Sequence, residues 1–442
     1  MTETGTARFG PLWVDGVRVA ETELTSLAAV IHRGLRGLPS GSVVQLPAEP
    51  PVGLVARTVV GELDLVHVLG EDTLAYAGMD AAALIDADGV VHRRAPGLRP
   101  RRLPGTARLA ATSGSTGHPE AVAHGREAIT FQASALQERL RFEAGEVMLL
   151  PLQTAHAYGA SVVELWSRYG VGLMLEHTSP LRTFIPRLVE HKPSSVDLVP
   201  SMLAMLLSAA RRDDAVAAGI DRLRLLNVGG DVLPPSLVEA ARAVCDQRLL
   251  DGYGLTEAGP NVAVNCPEFY REGTVGRPLP GVRVRIDDGQ IMVSSPSVLL
   301  GYVRDGNVVP QTDADGWLAT GDLGSVDDQG YLKVVGRRKE VIIVHGRTFA
   351  PIAVEDALRA VPGVDDAGVV AVREEHATRD RVHAFVRAES NGTDADELRR
   401  RCVEALPSGL GPVRLRFVDE LPLLPSGKLD RNALREVVRA CT

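Results

Sequence analysis

From about residue 107 the chain settles into a regular alternation. The apolar runs Glu146–Leu150, Val171–Leu175, Ser195–Val199 and Arg224–Val228 are separated by stretches with helical spacing, among them Ala128–Arg141, Thr183–Glu190 and Pro235–Val244. Strand and helix alternating at this pitch predict a parallel sheet covered by helices. Past residue 273 the texture changes to "GTVGRPLPGVRVRIDDGQIMVSSPSVLLGYV", whose alternation and Asp-Asp-Gly turn predict an antiparallel β-rich subdomain. After "VVGRRKE" a smaller α+β unit follows. It has a strand at Val341–Val344, a helix opened by Pro351, strands near Ala367–Val372 and Val382–Val386, and a helix at Asp394–Leu406. The Pro/Arg-rich "APGLRPRRLPG", Ala95–Gly105, reads as a connector between a short leading region and the main sheet.

The 442 residues hold two or three domains, and no apolar run approaches the ~20 residues of a membrane span. The start "MTETGTARFG" lacks a secretion-signal pattern, and Cys245, Cys266, Cys402 and Cys441 have no metal-ligand spacing. A reducing cytoplasm is the expected setting. The net charge of −8 argues against a broad nucleic-acid surface.

Several short stretches carry chemistry. "ATSGSTGHPEAV", Ala111–Val122, is rich in small and hydroxylated residues from Thr112 to Gly117. Successive backbone N–H groups there can converge on phosphate, although the segment alone reads equally as a surface turn. It is not a Walker loop, because no Gly-Lys-Ser/Thr closes it. "DGYGLTEAGP", Asp251–Pro260, sets an aromatic, a hydroxyl and a carboxylate at a strand end, where open α/β sheets bind ligands. A Gly-rich turn with a helix-capping Thr-Glu has the same composition. "ATGDLG" places Asp322 in a tight turn, and "VGRRKE" and "LLPSGKLDR" each put cations beside a glycine.

The order TSGSTG, YGLTE, TGD, GRRK, PSGK resembles the adenylate-forming superfamily of acyl-CoA synthetases, nonribosomal adenylation domains and acyl-AMP ligases. "NVGGDVL", "GTVGRPLPGV" and "HGRTFAPIAVEDAL" add to the resemblance, which covers roughly residues 107 to 442. It implies a large N-terminal domain over 1–338 and a small mobile C-terminal domain over 339–442, hinged at Lys339. It further implies ATP and Mg²⁺ as cofactors, and a small carboxylic acid as substrate. CoA or the phosphopantetheine of a carrier protein is the implied acceptor, in specialised-metabolite biosynthesis. An amine acceptor, or a degenerate homologue that only binds nucleotide or carrier, are the alternatives.

Carried over residue by residue, Thr112, Ser113, Gly114, Ser115, Thr116 and Gly117 form the loop for the β- and γ-phosphates. Gly229, Gly230, Asp251, Gly252 and Tyr253 frame the adenine. Thr256 meets the α-phosphate, Glu257 the Mg²⁺, and Asp322 and Arg337 the ribose. Lys428 bridges the attacking carboxylate and the α-phosphate, and two meeting anions need such a cation. Gly346 belongs to the loop presented to the thiol.

"PLQTAHAYGASVVELW", Pro151–Trp166, resembles the entry to the acid-binding helix, with His156 as gate. Amino-acid-activating relatives place an Asp where this chain has Gly159, and salicylate-type relatives an Asn where it has Ala157. Both departures speak against those substrates unless an amine is gripped elsewhere; Glu164 and Asp231 are the candidates near the pocket. Two further departures stand out. The leading lobe, about 1–105, is shorter than the resemblance implies and is expected to be trimmed, leaving a surface for a partner. The phosphate loop ends Pro119-Glu120-Ala121, where the family writes Pro-Lys-Gly. An ionised Glu120 against phosphate is repelled, so it must swing to solvent, pair with a cation, or mark an altered site.

Overall fold

Six strands lie side by side and parallel in a nine-stranded sheet: Leu249–Gly254, Leu225–Gly229, Ser195–Leu198, Val147–Leu150, Gly172–Leu175 and Leu12–Val14. Antiparallel strands close both edges, Asn261–Val264 and Arg277–Pro278 at one and Val17–Val19 at the other. The computed structural model describes residues 9–70, 72–95, 102–112, 119–344, 347–373, 380–388, 394–423 and 429–440. Ser195–Leu198 and Gly172–Leu175 are buried at every position, as continuous strands covered on both faces must be. Pro180, Pro200, Pro235 and Pro351 each open a helix, where the missing N–H costs nothing.

A second sheet of eight strands is mixed. Its order is Asn307–Val309, Gly301–Arg304, Ala121–His124, Arg108–Ala111, Val66–Leu69, Val43–Gln45, Ala83–Ile85 and Val91–Arg93. The expected antiparallel subdomain is a four-stranded sheet of Arg283–Asp287, Gln290–Ser294, Leu318–Val326 and Leu332–Arg337. The small α+β unit follows. Its strands Val364–Arg373, Asp380–Ala388 and Val413–Val418 pack with the helices Pro351–Arg359 and Arg431–Ala440. The helix Pro351–Arg359 also touches Pro235–Arg242 of the large domain.

The leading residues are not an appended lobe. Leu12–Val14 and Val17–Val19 extend the nine-stranded sheet, while Val43–Gln45, Val66–Leu69, Ala83–Ile85 and Val91–Arg93 build half of the eight-stranded one. Trp166 Nε1 donates to the Gly10 carbonyl at 2.8 Å and its ring stacks on Phe9, sealing the junction.

One buried layer is polar. His67, Arg108 and His124 are register partners on three adjacent strands, so their side chains share one face of the eight-stranded sheet. Arg57, half-buried beside the same layer, is lowered to about 10, chiefly because its guanidinium loses water. Glu164 supplies the counter-charge to Arg57 and Arg108 and pairs with Arg168 at 2.8 Å.

Candidate active site

The C-terminal ends of the parallel strands open into a cavity of about 1720 Å³, bounded by all three large sheets and by the small α+β unit. Ligands of open α/β sheets sit at this edge. Thr112 and Glu120 stand at its rim, at the two ends of the loop between Arg108–Ala111 and Ala121–His124. Thr112 N donates to the Glu120 carbonyl at 2.9 Å, and Glu120 N to Thr112 Oγ1 at 3.0 Å. The hydroxyl thus pins the loop as an acceptor and keeps its own proton for a ligand. Ser113, Gly114, Ser115, Thr116 and Gly117 lie outside the described residues.

Glu120 pairs with a cation. Its Oε1 accepts from the guanidinium of Arg304, 3.2 Å from Nε. Arg304 arrives because Gly301–Arg304 pairs with Ala121–Ala123. Two residues earlier on that strand, the Tyr302 hydroxyl donates to Glu257 Oε1 at 3.0 Å. Burial and the Glu257 charge push the Tyr302 phenol up, so it stays a donor. Thr256 and Glu257 occupy a short 3₁₀ turn after Leu249–Gly254 and line the cavity. No group of three metal-binding side chains exists among the described residues. The Glu257 carboxylate, with one oxygen held by Tyr302, still fits Mg²⁺, which takes one or two carboxylates and completes its shell from phosphates and water.

Asp322 and Arg337 are partners across adjacent strands and form an ion pair at 2.8 Å. The Tyr253 hydroxyl donates to the other oxygen of Asp322 at 2.6 Å. Burial and the adjacent Asp322 push the Tyr253 phenol well up. Burial pulls Arg337 down, but Asp322 together with Tyr253, Glu257 and Glu340 outweighs it and holds the guanidinium above its ordinary value. The buried ring of Tyr253 is therefore fixed by the residue expected at the ribose.

Gly229 and Gly230 end the strand Leu225–Gly229, and Gly230 turns at φ +86°, a conformation that favours glycine. A Cβ on Gly229 would lie 3.3 Å from Tyr158 Cε1 and 3.4 Å from the Gly252 carbonyl. Asp251 and Gly252 line the cavity from the next strand, and burial raises the Asp251 carboxyl to about 8. Lys339 lines it as well. Lys428 and Gly346 lie outside the described residues. Leu423 and Leu429, on either side of 424–428, pair as an antiparallel bridge, and both line the cavity.

At the acid-binding helix Ala157–Tyr169, His156 is the exposed N-cap residue and lines the cavity with Ala157 and Gly159. A Cβ on Gly159 would meet the Gln153 carbonyl at 2.4 Å, so no aspartate fits there without moving backbone. Of the two acids proposed to hold an amine, Glu164 faces the buried cationic layer, not the cavity. Asp231 lines the cavity but is exposed and accepts from its neighbour Val232 N at 2.8 Å. A buried carboxylate that does enter the pocket wall is Asp197, 5% exposed, accepting from the Tyr158 hydroxyl at 3.1 Å. Sequence reading missed Tyr158, Asp197, Asn227, Tyr302 and Arg304. Polar residues inside the apolar runs "SVDLV" and "LLNVGG" were the available signal.

The loop base at Thr112 and Glu120, a carboxylate turn and an Asp–Arg pair around one cleft, closed by a small α+β unit, fit the adenylate-forming class. The chain belongs to the AMP-binding enzyme family, which matches residues 78–303, with the AMP-binding enzyme C-terminal domain matching residues 353–428. It is an AMP-forming acid–thiol ligase of that superfamily. A 2-succinylbenzoate–CoA ligase of Bacillus licheniformis is 31% identical over 347 residues, covering 74% of this chain and 69% of the relative. A 3-[(3aS,4S,7aS)-7a-methyl-1,5-dioxo-octahydro-1H-inden-4-yl]propanoyl:CoA ligase of Rhodococcus jostii is 36% identical over 249 residues, 54% of this chain and 48% of the relative. Among solved structures, the amide bond synthetase McbA from Marinactinospora thermotolerans superposes with a TM-score of 0.80 at 26% identity, covering 98% of this chain and 97% of its own. ATP-bound MatB from Rhodopseudomonas palustris, at 23% identity and a TM-score of 0.82 over 99% of this chain and 97% of its own, shares the fold.

Proposed function

We propose that the protein activates a small carboxylic acid with ATP and passes the acyl group to a phosphopantetheine thiol, that of CoA or of a carrier protein. A carboxylate oxygen attacks the α-phosphorus, the bond to pyrophosphate breaks, and an acyl-adenylate forms. The thiol sulfur then attacks the acyl carbon, the bond to AMP oxygen breaks, and the thiol proton leaves to water. One observation carries this reading. The loop base at Thr112, Glu257 and the Asp322–Arg337 pair face the same cavity as Leu423 and Leu429, which flank the segment bearing Lys428.

In this reading Thr112 with the loop 113–117 holds the β- and γ-phosphates, and Thr256 the α-phosphate. Asp322 and Arg337 hold the ribose, beside an adenine framed by Gly229, Gly230 and Tyr253. Glu257 holds Mg²⁺, which neutralises phosphate charge when bound. Lys428 bridges the two reacting anions, and a rotation at Lys339 exchanges it for the loop of Gly346. The CoA ligases among the relatives favour CoA as acceptor; "GRTFAP" resembles the type found in ligases that feed carrier proteins. The Glu120–Arg304 pair removes the one residue that argued for a degenerate site, because the acid is neutralised on the rim.

Pyrophosphate exchange over a panel of acids tests the first half-reaction, and mass spectrometry of products with CoA, a holo-carrier and a simple amine tests the second. Acid-dependent exchange with a thioester product is expected. Nucleotide binding without exchange for any acid refutes catalysis, and an amide as the sole product refutes the thiol acceptor.

A further inference from the structure

The cavity has two chemically different walls. Its lining cations among the described residues, Arg304, Lys333, Arg337, Lys339, Arg431 and Arg435, all come from beyond residue 300. The nine-stranded sheet and the helix Ala157–Tyr169, which form the opposite wall, contribute no lysine or arginine to it. They contribute Asp197 and Asp251 instead.

Asp197 and Asn227 are register partners on adjacent parallel strands, so they stand side by side on one face, and both are 5% exposed. One oxygen of Asp197 is occupied by Tyr158. The Tyr158 ring is held in turn by the backbone of Gly229, where no Cβ intervenes. The Asn227 amide nitrogen is directed at the Asp197 carboxylate and favours its charged form, while the amide oxygen has no hydrogen-bond partner among the described residues. A buried amide whose oxygen is left unpaired, lining a cavity beside a buried carboxylate, is a place where a ligand can supply the missing polar partner. Burial raises the Asp197 carboxyl to about 6, so a hydrogen-bond donor or a cation arriving beside it recovers part of the lost solvation.

Resting on the acid-activating reading above, we infer that the pocket is built for a carboxylic acid carrying a hydrogen-bond-donating nitrogen, held by Asp197 and Asn227. The same wall disfavours an acid with a second carboxylate, such as the 2-succinylbenzoate named for the Bacillus relative. The nitrogen is gripped from the strand ends, because the Gln153 carbonyl bars any side chain at Gly159.

The test is pyrophosphate exchange by the full chain with matched acids: the three aminobenzoates against benzoate, 4-aminobutyrate against butyrate, and 2-succinylbenzoate. The best amino acid should exceed its deamino partner by roughly 100-fold in kcat/KM, because a site left with unpaired polar groups rejects the analogue. Asp197→Asn, which keeps size and the Tyr158 contact, should bring that ratio towards unity with the KM for ATP within about twofold. Exchange that is equal or better with benzoate and butyrate, or best with 2-succinylbenzoate, overturns the inference and leaves the adenylation reading standing. An unchanged ratio in Asp197→Asn overturns the assignment of the grip. Absence of exchange with every acid overturns the adenylation reading and this inference with it.

Discussion

Replacing Asp322 with asparagine probes the nucleotide end most directly. The carboxylate accepts from Tyr253 at 2.6 Å and faces Arg337 at 2.8 Å, with its own side chain 7% exposed and that of Arg337 39%. Asparagine keeps the shape but removes the charge and one acceptor. Hydrogen bonds to charged groups are worth about 1.5–3 kcal/mol against about 1 for neutral ones. The half-exposed guanidinium is screened by water, so the expected stability loss is about 1–2 kcal/mol rather than the full difference over two bonds. A carboxylate offers about four acceptor sites, so Asp322 can accept from ribose hydroxyls as well as from its protein partners. The variant forfeits at least one charged bond of about 1.5–3 kcal/mol, which converts to a roughly 10- to 150-fold rise in the KM for ATP. Pyrophosphate exchange against ATP at saturating acid measures it, with urea unfolding as the companion. A KM within twofold of wild type, alongside the stability loss, would show that Asp322 braces Arg337 and Tyr253 without touching the nucleotide.

Lys428→Ala should abolish exchange while ATP binding, read by calorimetry, persists; intact exchange refutes its bridging role. Glu120→Lys should tighten ATP binding and leave the unfolding midpoint nearly unchanged, because the Arg304 pair it breaks is largely solvated. Weaker ATP binding in that variant would mean the acid contributes to the site. Burial holds His67 and His124 far below the usual histidine value, so below pH ~6.5 the unfolded chain takes up protons that the fold refuses. Stability should fall with pH there, by up to about 1.4 kcal/mol per unit for each histidine, and His67→Gln should flatten the slope. Asp251 has the opposite sign. Its folded value of about 8 lies above the unfolded 3.8, so its protonated form favours the fold and stability is lost as pH rises between them. Asp251→Asn should therefore gain on wild type between pH 5 and pH 8 in urea titrations, and a constant difference would contradict the burial.

The elements beyond residue 107 were legible because their signals are local. The runs at 146–150, 171–175, 195–199 and 224–228 are strands within a residue or so of the bounds read from sequence. The leading strands escaped because most are three residues long and carry no periodicity to read. Leu12–Val14 completes its ladder on Gly172–Leu175, far along the chain, while Val17–Val19 and Val91–Arg93 are held in local hairpins. The motif series likewise named Thr112, Thr256, Glu257, Asp322 and Arg337, each within its own short local stretch, and the structure brings these five to one cavity.

Which charges face each other was not written locally. Glu120 is neutralised by Arg304, 184 residues away, because one antiparallel pairing brings Gly301–Arg304 beside Ala121–Ala123. Glu164 and Asp197 are both acids near the acid-binding helix, yet one turns into a buried cationic layer and the other enters the pocket. A helix face and a strand register decide that, and both are set by packing across the molecule. The sequence by itself determined the order of elements and the kind of chemistry, since propensity and short motifs act within a few residues. Only the tertiary structure decided the partner of each buried charge, since burial, and with it the cost of an unpaired group, exists only once distant strands have closed around it.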